Sequence, residues 1–225
     1  MELCIDTSTR YASVAVSTDG IIVAELSWRS ERNHSVELVP ALRRVMEHAG
    51  MQMDDVTAIF VAVGPGGFSA LRVGMSVAKS LGMARGVPIA AVNTLDIESF
   101  PYLGLGRPVS AVIGAGRSKV YLATYEKTLS SEAEYRVVER EQLAEALSEG
   151  TLLCGEEAAS VHALVGAEVT IVDTPSPTRR PSALAHMGFE RLSKGIADDP
   201  DTLQPIYMQS AQFKKAEQAR KQRTK

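Results

Sequence analysis

Apolar and polar positions repeat in the same order twice along this chain. In the first run, Leu3 to Asp6 is a short apolar stretch ending in a carboxylate. Tyr11 to Ser17 then alternates, with Ala12, Val14 and Val16 against Ser13, Ala15 and Ser17. Period-two alternation predicts a strand with one face covered. Asp19-Gly20 predicts a tight hairpin into a third strand, Ile21 to Trp28. From His34 to Ala49 the period changes: Leu38, Leu42, Val45 and Ala49 form one helical stripe, with Val39 and Met46 beside it. Gly50 closes that helix.

The stretch from Ala58 to Val92 organises this half. Ile59 to Val63 is continuously apolar, as a strand buried on both faces would be. Gly64-Pro65-Gly66-Gly67 is a sharp turn with room for positive φ. A helix of about 16 residues follows, then Gly86-Val87-Pro88 and a second apolar strand, Ile89 to Val92. Strand, glycine turn, helix and strand make a βαβ unit. A short helix begins near Asn93-Thr94.

Pro101 to Pro108 is a connector, after which the order restarts. Val109 to Ala115, Lys119 to Tyr125 and Glu134 to Val138 read as strands. Arg140 to Ser148 reads as a helix, Leu152 to Cys154 as a strand, Glu156 to Val165 as a helix and Glu168 to Val172 as a strand. A Pro-rich polar loop, Thr174 to Pro181, leads to a helix from Ser182 to about Lys194. The pattern therefore predicts an α/β protein of two lobes, 1–100 and 101–212, each β-β-β-α-β-α-β-α. The remainder, 213–225, is a basic tail in which Lys214, Lys215, Arg220, Lys221, Arg223 and Lys225 face Glu217 alone. Such a tail reads as a solvated terminus.

The helix after the glycine turn carries a second pattern. Ala70, Gly74, Ala78 and Gly82 recur every four residues as a ridge of small side chains, flanked by Leu71 and Met75 on one side and by Val73 and Val77 on the other. A helix apolar nearly all round is buried on more than one side. Its expected partner face combines Ala70, Leu71, Gly74, Met75, Ala78 and Gly82 with Leu38, Leu42 and Val45 of the preceding helix. A four-helix contact with a second protein fits that arrangement.

Composition narrows the chemistry. The chain has 225 residues, 45% of them apolar, and a net charge of −3, so no global basic field marks a nucleic-acid binder. No apolar run is long enough to span a bilayer. Met1-Glu2 leads straight into a strand, so no signal peptide and a cytoplasmic location are expected. Cys4 and Cys154 fit neither a metal site nor a disulfide framework and read as buried thiols.

Two lobes of this order resemble the actin-like ATPase superfamily, whose lobes are ribonuclease-H-like with mixed sheets and flanking helices. Ile5-Asp6-Thr7-Ser8-Thr9 resembles that superfamily's first phosphate hairpin. The resemblance implies that Asp6 positions a metal-bound phosphate, and that Thr7, Ser8, Gly64, Gly66 and Gly67 are candidates for holding nucleotide. Further motifs stand in order: Asn33-His34-Ser35 with Leu38 and Pro40, Gly64-Pro65-Gly66-Gly67-Phe68-Ser69 with Leu71-Arg72-Val73-Gly74, and Val87-Pro88 followed by Val92 and Leu95. Together they look like the TsaB (YeaZ) family, partner subunits in tRNA threonylcarbamoyladenosine synthesis, most closely over residues 1–98.

That resemblance implies a subunit without catalysis of its own. The related TsaD family carries two metal-binding histidines where this chain has Thr94 and Glu98, and Thr and Glu cannot replace that pair. His34 and His48 do not restore it, being at opposite ends of another helix. Gly114 stands where active superfamily members carry an Asp, and Tyr207-Met208-Gln209 replaces the family's Y-L-R. No metal site and no cofactor of its own are expected, with ATP or ADP reserved for the assembled complex. The implied partners are a TsaD-like catalytic paralogue, a TsaE-like small ATPase, a second copy when alone, and tRNA only through the complex. The competing reading is an autonomous ATPase or small-molecule kinase using Asp6 and the glycine loop; a metallopeptidase is a further rival and lacks ligands.

Overall fold

The structure, a computed structural model, describes residues 1–126 and 133–208. The basic tail and Gln209 lie outside the described residues. Two five-stranded sheets share one topology. The first contains β1 (Glu2–Asp6), β2 (Tyr11–Thr18), β3 (Ile21–Arg29), β4 (Ala58–Ala62) and β5 (Ile89–Val92), in the order β3-β2-β1-β4-β5. β1, β2 and β3 pair antiparallel, whereas β1, β4 and β5 pair parallel. The β2–β3 hairpin turns at Asp19 and Gly20, which sit at φ 51° and 74°, the twist that a two-residue hairpin favours.

β1 and β4 are buried at every position because both faces of the sheet are covered. α1 (His34–His48) and α2 (Phe68–Arg85) cover one face, where Leu3, Ile5, Ile59 and Val61 point. Cys4, Phe60 and Ala62 point to the other face. A short α3 (Thr94–Ser99) follows β5, with the Asn93 side chain capping its first turn through Leu95 N–H.

The second sheet repeats the plan with β6 (Val109–Gly114), β7 (Lys119–Tyr125), β8 (Glu134–Glu139), β9 (Leu152–Cys154) and β10 (Thr170–Ile171), in the order β8-β7-β6-β9-β10. Its helices are shorter than the sequence predicts. α4 spans only Leu143–Ala146 and buries Leu143 alone, while 159–164 winds as a 3-10 helix that buries Val161 alone. One inward side chain cannot hold a longer amphipathic helix on a sheet.

The largest departure is α5 (Pro181–Ser193). It opens at Pro181 without a side-chain cap, so Ser182 is not the N-cap. More importantly, it leaves the second sheet and covers the free face of the first, where Ala183, Leu184 and Ala185 join Cys4 and Phe60 in one core. Gly188 lies against the Phe60 ring, where a Cβ would come within 2.3 Å of Cγ. The expected 101–212 unit is therefore not self-contained: Ile206 N–H also donates to Val63 O of the first half at 2.7 Å.

Candidate functional site

The β1–β2 turn, the glycine loop and the segment before α5 meet between the two sheets. Asp6 ends β1 and is buried. Its Oδ1 accepts the Ser8 N–H at 2.8 Å and the Ser8 hydroxyl as well. Thr7 Oγ1 donates to Ala70 O at 2.7 Å and accepts the Gly74 N–H at 3.1 Å. Gly66 packs on the backbone of this turn so closely that a Cβ would stand 2.1 Å from Ser8 O. Gly67 N–H donates to that same oxygen at 2.8 Å. Gly64 is buried at φ 104°, and its N–H donates to Thr94 Oγ1 at 3.1 Å. The structure thus brings together all six candidates: Asp6, Thr7, Ser8, Gly64, Gly66 and Gly67. Thr7 and Ser8 hydroxyls, however, are spent on internal partners, and the loop's close packing makes it a clamp on the turn.

Arg179 completes the arrangement. Its Nε donates to Asp6 Oδ2 at 2.7 Å, and its Nη1 to Glu98 Oε2 at 3.4 Å and to Glu156. Its Nη2 donates to Thr9 Oγ1 at 2.8 Å and to Tyr11 O at 2.9 Å. Every N–H of the guanidinium is occupied, with the side chain 3% exposed. Burial opposes its charge, but Asp6, Glu156 and Glu98 outweigh that and push its pKa upward. Glu98 is fully buried, and burial raises its carboxyl to about 7 against the pull of Arg179. Sequence reasoning misses Arg179 and Glu156. The only signal is an arginine in a Pro-rich loop, and its partners are remote in the chain.

Thr94 and Glu98 occupy one face of α3, as their spacing requires, but both are fully buried and engaged internally. Among the described residues, no cluster of three or more His, Cys, Asp or Glu is placed to hold a metal ion. His34 and His48 stand at the two ends of α1, with His34 Nε2 2.9 Å from Thr9 O. Cys4 and Cys154 are buried and free; burial pushes the Cys4 thiol up to about 12 and raises Cys154 as well. Gly114 ends β6, with Ala115, Gly116 and Tyr121 facing Gly66, Gly67 and Phe68 across a cleft of about 630 Å³. Tyr207 stacks on Phe68 there, with centroids 5.0 Å apart.

The expected partner face needs correction. Leu38, Leu42, Val45, Leu71, Gly74, Met75, Ala78 and Gly82 are all buried inside this chain, and Ala70 is half-buried. The small-residue ridge faces its own sheet. A Cβ on Gly74 would lie 2.4 Å from Thr7 Oγ1, and one on Gly82 would lie 2.7 Å from Ile89 Cδ1. What α1 and α2 turn outward instead is Val36, Val39, Phe68 and Met83, exposed by 69%, 58%, 56% and 59%. Half-buried Val73 and Val77, with exposed Ser69, Ser76 and Ser80, complete the outer face of α2.

Two mixed sheets of one topology, with the hairpin of the first closed against a cleft between them, define a protein of the actin-like ATPase fold. The chain belongs to the TsaD family, described as tRNA N6-adenosine threonylcarbamoyltransferase, whose model matches residues 20–161. Along nearly its whole length it is similar to the tRNA threonylcarbamoyladenosine biosynthesis protein TsaB of Bacillus subtilis, at 25% identity over 93% of this chain and 94% of that one. The structure of YeaZ from Pseudomonas aeruginosa superposes with a TM-score of 0.76 at 25% identity, covering 92% of this chain and 98% of that one. The tRNA N6-adenosine threonylcarbamoyltransferase of an Anaeromyxobacter dehalogenans strain is 34% identical over 115 residues, which is 46% of this chain and 32% of that protein. The chain is thus a TsaB homologue that spans about a third of that transferase. Among the described residues, no helix is long and apolar enough to cross a membrane.

Proposed function

We propose that this chain is a docking and activating subunit in threonylcarbamoyladenosine synthesis and performs no bond chemistry itself. Its partner is a TsaD-type catalytic paralogue that transfers threonylcarbamoyl to N6 of the adenosine beside the tRNA anticodon. The observation that carries this reading is the outer apolar face of α1 and α2. Val36, Val39 and Met83 stand in water on two helices packed side by side, where a monomer gains little from them, and Phe68 beside them, stacked on Tyr207, is still 56% exposed. Small serines between them let another helix pair approach closely. Thr94 and Glu98, committed to internal contacts, support the non-catalytic half of the reading.

On this reading, a TsaE-type ATPase completes the assembly, ATP or ADP binds only there, and tRNA meets the chain only through the complex. The same face holds two copies of the chain together when the paralogue is missing, and the work is done in the cytoplasm. Depletion of the chain in its host tests the proposal. Threonylcarbamoyladenosine should disappear from total tRNA and return with the wild-type chain, but not with the Val36→Asp/Val39→Asp double variant. Full restoration by that variant, at equal protein level, contradicts the proposal.

A further inference from the structure

The first turns of α1 and α2 and the β1–β2 turn line one cavity of about 560 Å³. Arg10 and Arg32 stand in its wall, and among the described residues no carboxylate lines it. Both arginines are exposed, and neither is ion-paired among the described residues. Arg10 lies over the Tyr11 ring, 5.3 Å from its centroid. The backbone pins the two segments together. Ser30 N–H donates to Arg10 O at 2.7 Å, and Ser30 Oγ accepts the Asn33 N–H at 3.1 Å. His34 Nε2 is held 2.9 Å from Thr9 O. Two unpaired charges of one sign on a concave wall focus a positive field and draw an anion. The helices add to that sign. Their N-caps, Asn33 and Gly67, make no side-chain capping bond, so the first-turn amides of both helices keep their positive ends beside the cavity. Ser35 and Ser69, each the second residue of its helix, add hydroxyl donors to the lining.

We propose that this cavity is a socket for an acidic side chain of the docking partner, an Asp or Glu whose carboxylate is gripped by Arg10 and Arg32. The inference rests on the docking reading and gives that partner a chemistry. The socket is continuous with the docking face: Phe68 and Val73 line the cavity and also belong to the outer side of α2, and Ser35 adjoins Val36. A lone anion would leave most of the cavity unfilled, whereas a carboxylate carried on a protein segment fills it. Phe68, the aromatic ring of the lining, is already stacked on Tyr207 and approached by Arg72 at 4.9 Å, so no free ring awaits a nucleobase. The apolar face then supplies affinity, while the charged socket steers the encounter and fixes the register of the partner helices.

Titration of the purified chain into its TsaD-type paralogue, at low and at high salt and without tRNA, tests the socket. Arg10→Gln/Arg32→Asn removes both charges; asparagine suits residue 32, which sits at φ 68° in the left-handed region. Wild-type affinity should fall as salt rises. At low salt the double variant should bind at least about tenfold more weakly than wild type, lose most of that salt dependence and melt at the same temperature. Wild-type binding matched by the double variant in affinity and salt dependence overturns the socket and leaves the docking face standing. A weaker variant with undiminished salt dependence overturns it as well, since the arginines would then act by packing. Absence of wild-type binding overturns both readings. Saturable binding of ATP or inorganic phosphate to the chain alone, abolished in the double variant, would give the cavity to a phosphate ligand and overturn the carboxylate assignment.

Discussion

At the scale of the residue, Glu98 is a buried carboxyl whose charge the fold disturbs within the neutral pH range. Burial raises its carboxyl to about 7, so at lower pH the folded chain holds a proton that the unfolded chain has already lost. Unfolding free energy should therefore fall as pH rises from the ordinary carboxylate range to about 7, by up to about 3 kcal/mol from this group. Glu98→Gln removes that slope. Melting temperatures from about pH 5 to about pH 8 should show the variant gaining on wild type as pH rises; a constant gap contradicts the assignment. Gly74 gives a second prediction. A Cβ there would meet Thr7 Oγ1 at 2.4 Å, so Gly74→Ala should cost about 1–3 kcal/mol of stability by overpacking. Chemical denaturation checks it, and an unchanged midpoint would contradict the packing account. Asp6, its hairpin and the glycine loop were legible in the sequence because they are short local motifs. Arg179 was not, because its acceptors Asp6, Glu98 and Glu156 are brought to it only by the tertiary fold.

At the scale of the element, α2 shows how one pattern supports two readings. Small residues every four positions permit close approach, but they do not say to what. In this fold the neighbour is the chain's own sheet, with Ile5 and Thr7 under Gly74 and Ile89 under Gly82. The partner face then falls to the other side of the helix pair, where Val36 and Val39 of α1 lie in water. Val39 was visible in the sequence beside the α1 stripe, yet periodicity alone could not place it on the outer side. Val39→Asp should leave stability within about 0.5 kcal/mol of wild type, because an exposed side chain has no packing to lose. Circular dichroism melts check this; a large loss would mean that Val39 belongs to the core.

At the scale of the whole molecule, the repeated strand order was legible because alternation and hairpin signals are local. Both sheets emerged with the same order, antiparallel strands first and parallel strands after. The crossing of α5 back to the first sheet was not legible. Its apolar stripe would suit either sheet, and only the open face over Cys4 and Phe60 decides. The halves are joined by that helix, by the Arg179 cluster and by the Ile206–Val63 hydrogen bond. The central claim, that this molecule acts by docking through the outer face of α1 and α2, is tested most directly by isothermal titration of the purified chain into its TsaD-type paralogue. The account predicts a saturable one-to-one complex with wild type, and at least tenfold weaker binding with Val36→Asp/Val39→Asp at unchanged melting temperature. No heat of binding with wild type, or equal affinity for the double variant, would contradict it.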